Sequence, residues 1–327
     1  MEAPNWILRV PTDEDGPISA GVDIVNNFVS FDVNINSVQT VDYTCGDTKT
    51  ELPKRAYPLI LPTYISNVLS GNWNEASSWL KVGGGPEVPV VGSLVQVRAS
   101  DVIDFDVDAI NVYSLEIGGK VTVGTTKKHN LGNVTGTGTI KMINGQFPGG
   151  SYDDFLTTTG GSVEFAGATD YVTSTRVKGV RNLLFSGTGT RTIPLLSTTV
   201  GDLLEIGSTV AVDNTVNNST FDLEGDFEIV SGGTFSSGTG GLNFVGSKDS
   251  YVRGSISGVN ELAQVSLNKT VGDVYIDGTS DLSVKNAIDF VNGRIISEGN
   301  KVLMGVGWDF ITPRFNCNFC ASFTNVW

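Results

Sequence analysis

The chain has 327 residues, 40 of them glycine, with 35 acidic against 21 basic side chains, a net charge of −14 and a mean hydropathy of +0.04. That balance is globular rather than disordered, and it argues against nucleic acid or an anionic membrane surface as partner, because both need clustered Lys and Arg. No apolar run approaches the ~18 residues of a membrane span, and three cysteines, Cys45, Cys317 and Cys320, are too few and odd in number for a disulfide scaffold.

The opening Met1-Glu2-Ala3-Pro4-Asn5 lacks the basic and apolar regions of a signal peptide, as a mature form or an excised piece would. From Asp23 to Cys45 the residues alternate, with Val29, Phe31, Val33 and Ile35 facing one way and Ser30, Asp32, Asn34 and Asn36 the other. This predicts a half-buried antiparallel strand partnered by 38–44. Three prolines between Glu51 and Pro62 exclude a helix or a central strand, so residues 1–65 are expected to be a small β element and a connector.

Residues 66–305 read as a succession of short runs rich in Val, Ile, Leu, Phe and Thr, split by Gly, Asn, Asp and Ser, with no sustained helical period. Segments echo one another. Gly161-Ser162-Val163-Glu164-Phe165-Ala166-Gly167 returns as Gly241-Leu242-Asn243-Phe244-Val245-Gly246, and Leu115-Glu116-Ile117 with Lys120 to Val123 returns as Leu204-Glu205-Ile206 with Thr209 to Val212. Gly-Thr-Gly recurs at 136–138, 187–189 and 238–240. A short strand with one apolar face cannot hide that face alone, so like units stack and share a core. The expectation is an all-β parallel β-helix, a solenoid of about ten coils of about 23 residues; the rival is a pair of β-sandwiches.

The first coil carries Trp73 and Trp79, six apart around a polar loop. Two large aromatics there would plug the open core, or offer a sugar-stacking or partner-contact platform. The segment Ser70-Gly71-Asn72-Trp73-Asn74-Glu75-Ala76-Ser77-Ser78-Trp79, then Gly83-Gly84-Gly85-Pro86-Glu87-Val88-Pro89, Asp104 to Ile117 and a coil of the form Leu203 to Asn214, resembles the opening of β-helix modules in large secreted surface proteins of the Bacteroidota. These include gliding-motility and adhesin proteins exported by the type IX secretion system. The resemblance covers about 70–305 and implies an extracellular stalk or adhesive module, with no recognisable C-terminal sorting domain here.

Candidate chemistry is sparse. Asp104, Asp106 and Asp108 alternate with Phe105 and Val107, so on one strand three carboxylates would share a face, as a solvated acidic surface or a calcium site. Phe221 to Ile229 shows the same alternation, with Asp222, Glu224, Asp226 and Glu228 opposite apolar residues. His129, the single histidine, lies in Lys127-Lys128-His129-Asn130, read as a polar turn, which disfavours a zinc hydrolase or a serine triad. Asp153-Asp154, or Asp202 with Glu205, would be the acid/base pair if the solenoid degraded polysaccharide. Cys317-Asn318-Phe319-Cys320 has redox or metal spacing without a second pair.

In residues 306–327, Trp308, Phe310, Phe315, Phe319, Phe323 and Trp327 crowd together as an aromatic cap on the last coil or a docking surface for the next module, with Trp308 and Trp327 as contact candidates. The whole is expected to be a non-catalytic adhesive or structural rod without membrane insertion. Its partners would be neighbouring modules, identical subunits or surface glycans, with polysaccharide binding or degradation as the alternative.

Overall fold

The computed structural model of the chain describes residues 61–277, 281–297 and 299–305, together with four short strands before residue 61. The chain divides into two compact units, Met1–Leu61 and Pro62–Trp327. In the first, Trp6–Arg9 pairs antiparallel with Asp42–Cys45, and Gly21–Asp23 pairs antiparallel with Phe28–Ser30. The described pieces of the alternating segment thus each pair with an earlier strand, and the rest of it, with most of the expected partner 38–44, lies outside the described residues.

The second unit is the expected parallel β-solenoid, of about ten turns. Successive coils lay strands on up to three sides. The first side begins as a six-stranded sheet, the second belongs to a sixteen-stranded sheet that runs almost the whole length, and the third is a four-stranded sheet in the middle. Apart from the first strand pair, Thr63–Ser66 with Trp79–Lys81, every pairing among the described residues of this unit is parallel. Long strands bend around a corner. The first half of Ser197–Ile206 pairs with Thr220–Leu223 and its second half with Asp226–Ile229.

Register shows why this sequence stacks. On the second side, Ile103, Val121, Ile140, Val163, Leu183, Leu204, Phe227 and Val252 form one continuous inward column. A neighbouring column runs Phe105, Val123, Met142, Phe165, Phe185, Ile206 and Ile229, with Phe165 and Phe185 stacked at 5.8 Å. All these side chains are buried, each stabilising by about 1.5–3 kcal/mol relative to exposure. Partners in the column are eighteen residues apart between Ile103 and Val121 and twenty-five between Phe227 and Val252, so coil length varies along the rod. The alternation in 221–229 is realised, with Phe221, Leu223, Phe227 and Ile229 inside and Asp222, Glu224, Asp226 and Glu228 at the surface.

The sequence echoes do not repeat in register. Phe165 lies on the second side, and its column partners are Phe185, Ile206 and Ile229, whereas Phe244 lies on the first side beside Leu223 and Leu267. Likewise Leu115–Ile117 lies on the first side and Leu204–Ile206 on the second. What recurs is a strand, glycine turn, strand corner that fits any side. The three Gly-Thr-Gly turns occupy three different corners, so their common spacing is two coils plus one corner rather than two coils. Gly136 and Gly187 have φ of 102° and 79°, and a Cβ there would run into the carbonyls of Ile117 and Gly167 one coil back. Only glycine fits both the left-handed backbone and that close stacking.

Candidate functional site

Trp73 and Trp79 meet edge to face at 4.9 Å, and Trp73 meets Phe105 at 5.2 Å. The Trp79 Nε1–H donates to the Trp73 carbonyl at 2.8 Å, and exposures of 3% and 0% leave neither indole a free face. The polar loop between them folds as a 3-10 turn, Ala76–Ser78, which drives both rings inward. The pair plugs the first coil, and the sugar-stacking platform is corrected on this point, because a pyranose needs an open ring face.

Asp104, Asp106 and Asp108 do not share a strand face. The strand ends at Phe105, so only Asp104 is on it; Asp106 Oδ1 accepts the Asn74 N–H at 2.9 Å and Asp108 Oδ1 accepts the Lys127 N–H at 2.7 Å. Two of the three carboxylates thus tie loops of adjacent coils. Among the described residues no group of three His, Cys, Asp or Glu side chains converges on a cation position.

His129 is not in an exposed turn but 6% exposed, against Phe105 at 5.3 Å, with Nε2 3.0 Å from Thr126 Oγ1 and Nδ1 without a partner. Burial pushes its pKa down. Asp153 and Asp154 are exposed, Asp153 accepting from Ser151 Oγ at 2.9 Å. Asp202 is bound by Lys248 at 2.7 Å. Cys45 ends the strand Asp42–Cys45; Cys317, Cys320, Trp308 and Trp327, with the cap at 306–327, lie outside the described residues.

The densest outward chemistry is on the second side. Register places Asp104, Thr122, Lys141, Glu164, Leu184, Glu205 and Glu228 in one column. Glu164 is nearly buried; burial pushes its pKa up, yet hydrogen bonds from Ser186 Oγ at 2.7 Å and from Lys120 and Lys141 at 3.0 and 3.1 Å hold it below the usual range. Among the described residues Glu205 has no such partners. Its own burial, then the neighbouring Glu228 and Glu164, push its pKa up. Further along, Arg253 bridges Asp226 at 2.7 Å and Asp277 at 3.2 Å, Arg294 bridges Asp273, and Tyr251 and Tyr275 stack at 5.2 Å with Arg253 over the first ring.

No known protein family, curated protein or solved structure matches this chain. Among the described residues no helix is long and apolar enough to cross a membrane.

Two buried cations escaped the sequence reading. Arg191 is fully buried on the third side between Tyr171 and Val212, with its guanidinium 4.5 Å over the Tyr171 ring and donating to the carbonyls of Thr169, Gly167, Ser186 and Thr188 at 2.7–3.0 Å. Lys269, 1% exposed, donates to the carbonyls of Glu224 and Val245 and to Ser250 Oγ at 2.7–3.2 Å, and burial pushes its pKa down. Each ties carbonyl groups of successive coil corners to one buried cation, adding donors where the corner backbone turns away from the ladders. Parity was the signal available: Arg191 shares its facing with Ile193, and Lys269 with Val265 and Leu267.

Proposed function

We propose that this chain is a non-catalytic structural and adhesive β-solenoid module of a longer extracellular surface protein, working as a stiff spacer whose outer faces and ends meet neighbouring modules or surface glycans. The observation that carries the reading is where the outward charges go. Lys120, Lys141, Arg253, Arg294 and Lys248 each pair with a carboxylate on another coil, so charge joins rungs along the rod rather than converging in a pocket. Parallel backbone ladders and inter-coil bridges together resist axial shear, as a stalk requires. The resemblance of 70–305 to secreted Bacteroidota surface modules supports the extracellular and gliding or adhesin setting.

A second reading, polysaccharide binding or degradation, is favoured by one observation: Glu205, whose pKa is raised by burial and then by Glu228 and Glu164, lies in register beside Glu228 on the next coil, and glycoside hydrolysis uses a pair of carboxyl groups. A panel of immobilised glycans and a reducing-sugar assay on soluble polysaccharides separate the two. Binding without turnover supports the adhesive module. Turnover that disappears in Glu205→Gln would replace it with the enzyme.

A further inference from the structure

Two of the four described non-glycine residues in the left-handed region, Ala109 at φ 58° and Lys128 at φ 64°, lie on corners of successive coils that touch, where the Ala109 N–H donates to the Lys127 carbonyl at 2.8 Å. Backbone held in that region persists only where its surroundings hold it. Residues 124–129 run between the strands Lys120–Val123 and Asn130–Thr135 and add no strand of their own. What fastens them to the preceding coil is therefore a short set of contacts. Besides the Ala109 bond, the Lys127 N–H donates to Asp108 Oδ1 at 2.7 Å, the Thr126 hydroxyl donates to the Phe105 carbonyl at 2.9 Å, and the buried His129 ring packs on Phe105 at 5.3 Å.

Hydrogen bonding fixes the state of that ring. The Thr126 hydroxyl has one hydrogen and gives it to Phe105, so toward His129 Nε2, 3.0 Å away, its oxygen can only accept. Nε2 thus carries the proton, and Nδ1 is a bare lone pair, buried and hydrogen-bonded to nothing. A second proton would put a charge, and a donor without an acceptor, against Phe105. Burial pushes the ring's pKa down by more than the Thr126 backbone and the Asp108 carboxylate push it up. The other charges on the elements around it give no relief: Lys127 and Lys128 are exposed cations, Asp104 points out of the second side, Asp106 holds the Asn74 N–H, and residues 143–150 of the next coil carry no charged side chain.

We propose that His129 is an acid-sensitive latch: neutral, it holds the corner 124–131 closed over Phe105, and protonated, it releases that corner while the rest of the solenoid stays folded. A released ring takes a proton at the ordinary value of 6.5 and a closed one only at lower pH, so the latch is complete above pH 6.5 and is lost as pH falls through the folded value. Release uncovers Phe105, which meets Trp73 of the first-coil plug at 5.2 Å. Mild acid thereby loosens the rod beside its roof, in an adhesive and an enzymatic rod alike.

The test uses the full, untagged chain, in which His129 is the single histidine, so one imidazole signal reports the latch. The ring is titrated by NMR, and amide exchange across 124–131 is measured at pH 7.5 and 5.5, corrected for intrinsic rates, against 179–192, which carries no carboxylate. The expected result is an Nε2–H tautomer at high pH, titration below 6.5, and protection of 124–131 that falls about three- to tenfold at pH 5.5 while 179–192 keeps its own. His129→Phe should abolish the fall. Asp108→Asn keeps an acceptor for the Lys127 N–H, removes the charge that favours the imidazolium, and should deepen the fall. Titration at or above 6.5 in the folded chain overturns the proposal, as does equal protection at the two pH values, a fall shared by 179–192, a fall that survives His129→Phe, or one that Asp108→Asn lessens.

Discussion

At the amino-terminal end of the solenoid the first coil is roofed by two interlocked indoles and by the reversed strand Trp79–Lys81 lying along Thr63–Ser66, whereas at the other end the described coils run out with Ile288, Ile295, Val302 and Met304 half-covered. Between them every coil is sealed by the next one. The contrast teaches that in a one-dimensional fold the interior needs little beyond the right parity of apolar residues, while an end needs residues chosen for that end alone. An antiparallel strand at the edge also stops further parallel addition, which a continued coil would invite.

The largest expected effect follows from removing the roof. Trp79→Ala should cost about 3–5 kcal/mol in urea unfolding and strip exchange protection from 63–105 first, whereas Ile295→Ala should cost about 1 kcal/mol and act on the last coils alone. Equal costs, or losses spread evenly along the rod, would erase the distinction between the ends.

Next comes the interior exception. Arg191→Met keeps the packing volume but takes the guanidinium from the Thr169, Ser186 and Thr188 carbonyls, while Gly167 keeps the Thr188 N–H at 2.9 Å, an expected loss of about 2–4 kcal/mol by the same measurement. A neutral result would mean that water replaces the guanidinium and that the corner is not sealed.

A smaller effect is carried by pH. Glu164 has its folded pKa held below the ordinary glutamate value of 4.5, so its contribution is present above that value and is lost as pH falls through the folded pKa; Glu164→Gln should flatten the acid limb of a stability curve. Tyr171 behaves oppositely. Burial pushes its hydroxyl from 10.0 up to about 12, so its contribution is complete below pH 10 and disappears between pH 10 and 12, visible as phenolate absorbance that appears together with unfolding. Early ionisation of Tyr171 in folded protein would place it in solvent.

Smallest of all is calcium. With Asp106 and Asp108 engaged by backbone N–H groups, Asp104→Asn and millimolar calcium should each shift the melting temperature by less than about 1 °C. A calcium-dependent rise that Asp104→Asn removes would restore a metal to that loop.

Much of this architecture was legible because a strand's two-residue period is local. The facing of 221–229 and the glycine corners needed no knowledge of neighbours. Three things were not local. Which side of the rod an echo occupies depends on coil length, which drifts, so Phe165 and Phe244 match in sequence and not in position. His129 was placed in solvent by Lys127, Lys128 and Asn130, yet it packs on Phe105 from the preceding coil. Asp106 and Asp108 looked like a strand face because nothing in the sequence shows the strand stopping at Phe105. The role of Arg191 is likewise invisible from the sequence, since its partners are carbonyl groups, which every residue has.

The central claim, one parallel stack with an unbroken register, is tested most directly by spin-label distances along a single outward column. With native cysteines replaced by serine, labels at position 104 paired in turn with 184, 205 and 228 sit four, five and six coils apart. The account predicts mean distances rising in even steps, about 19, 24 and 29 Å at ~4.8 Å per coil. Distances that fail to rise with coil number, or that collapse toward the ~10 Å separation of two face-to-face sheets, would contradict it.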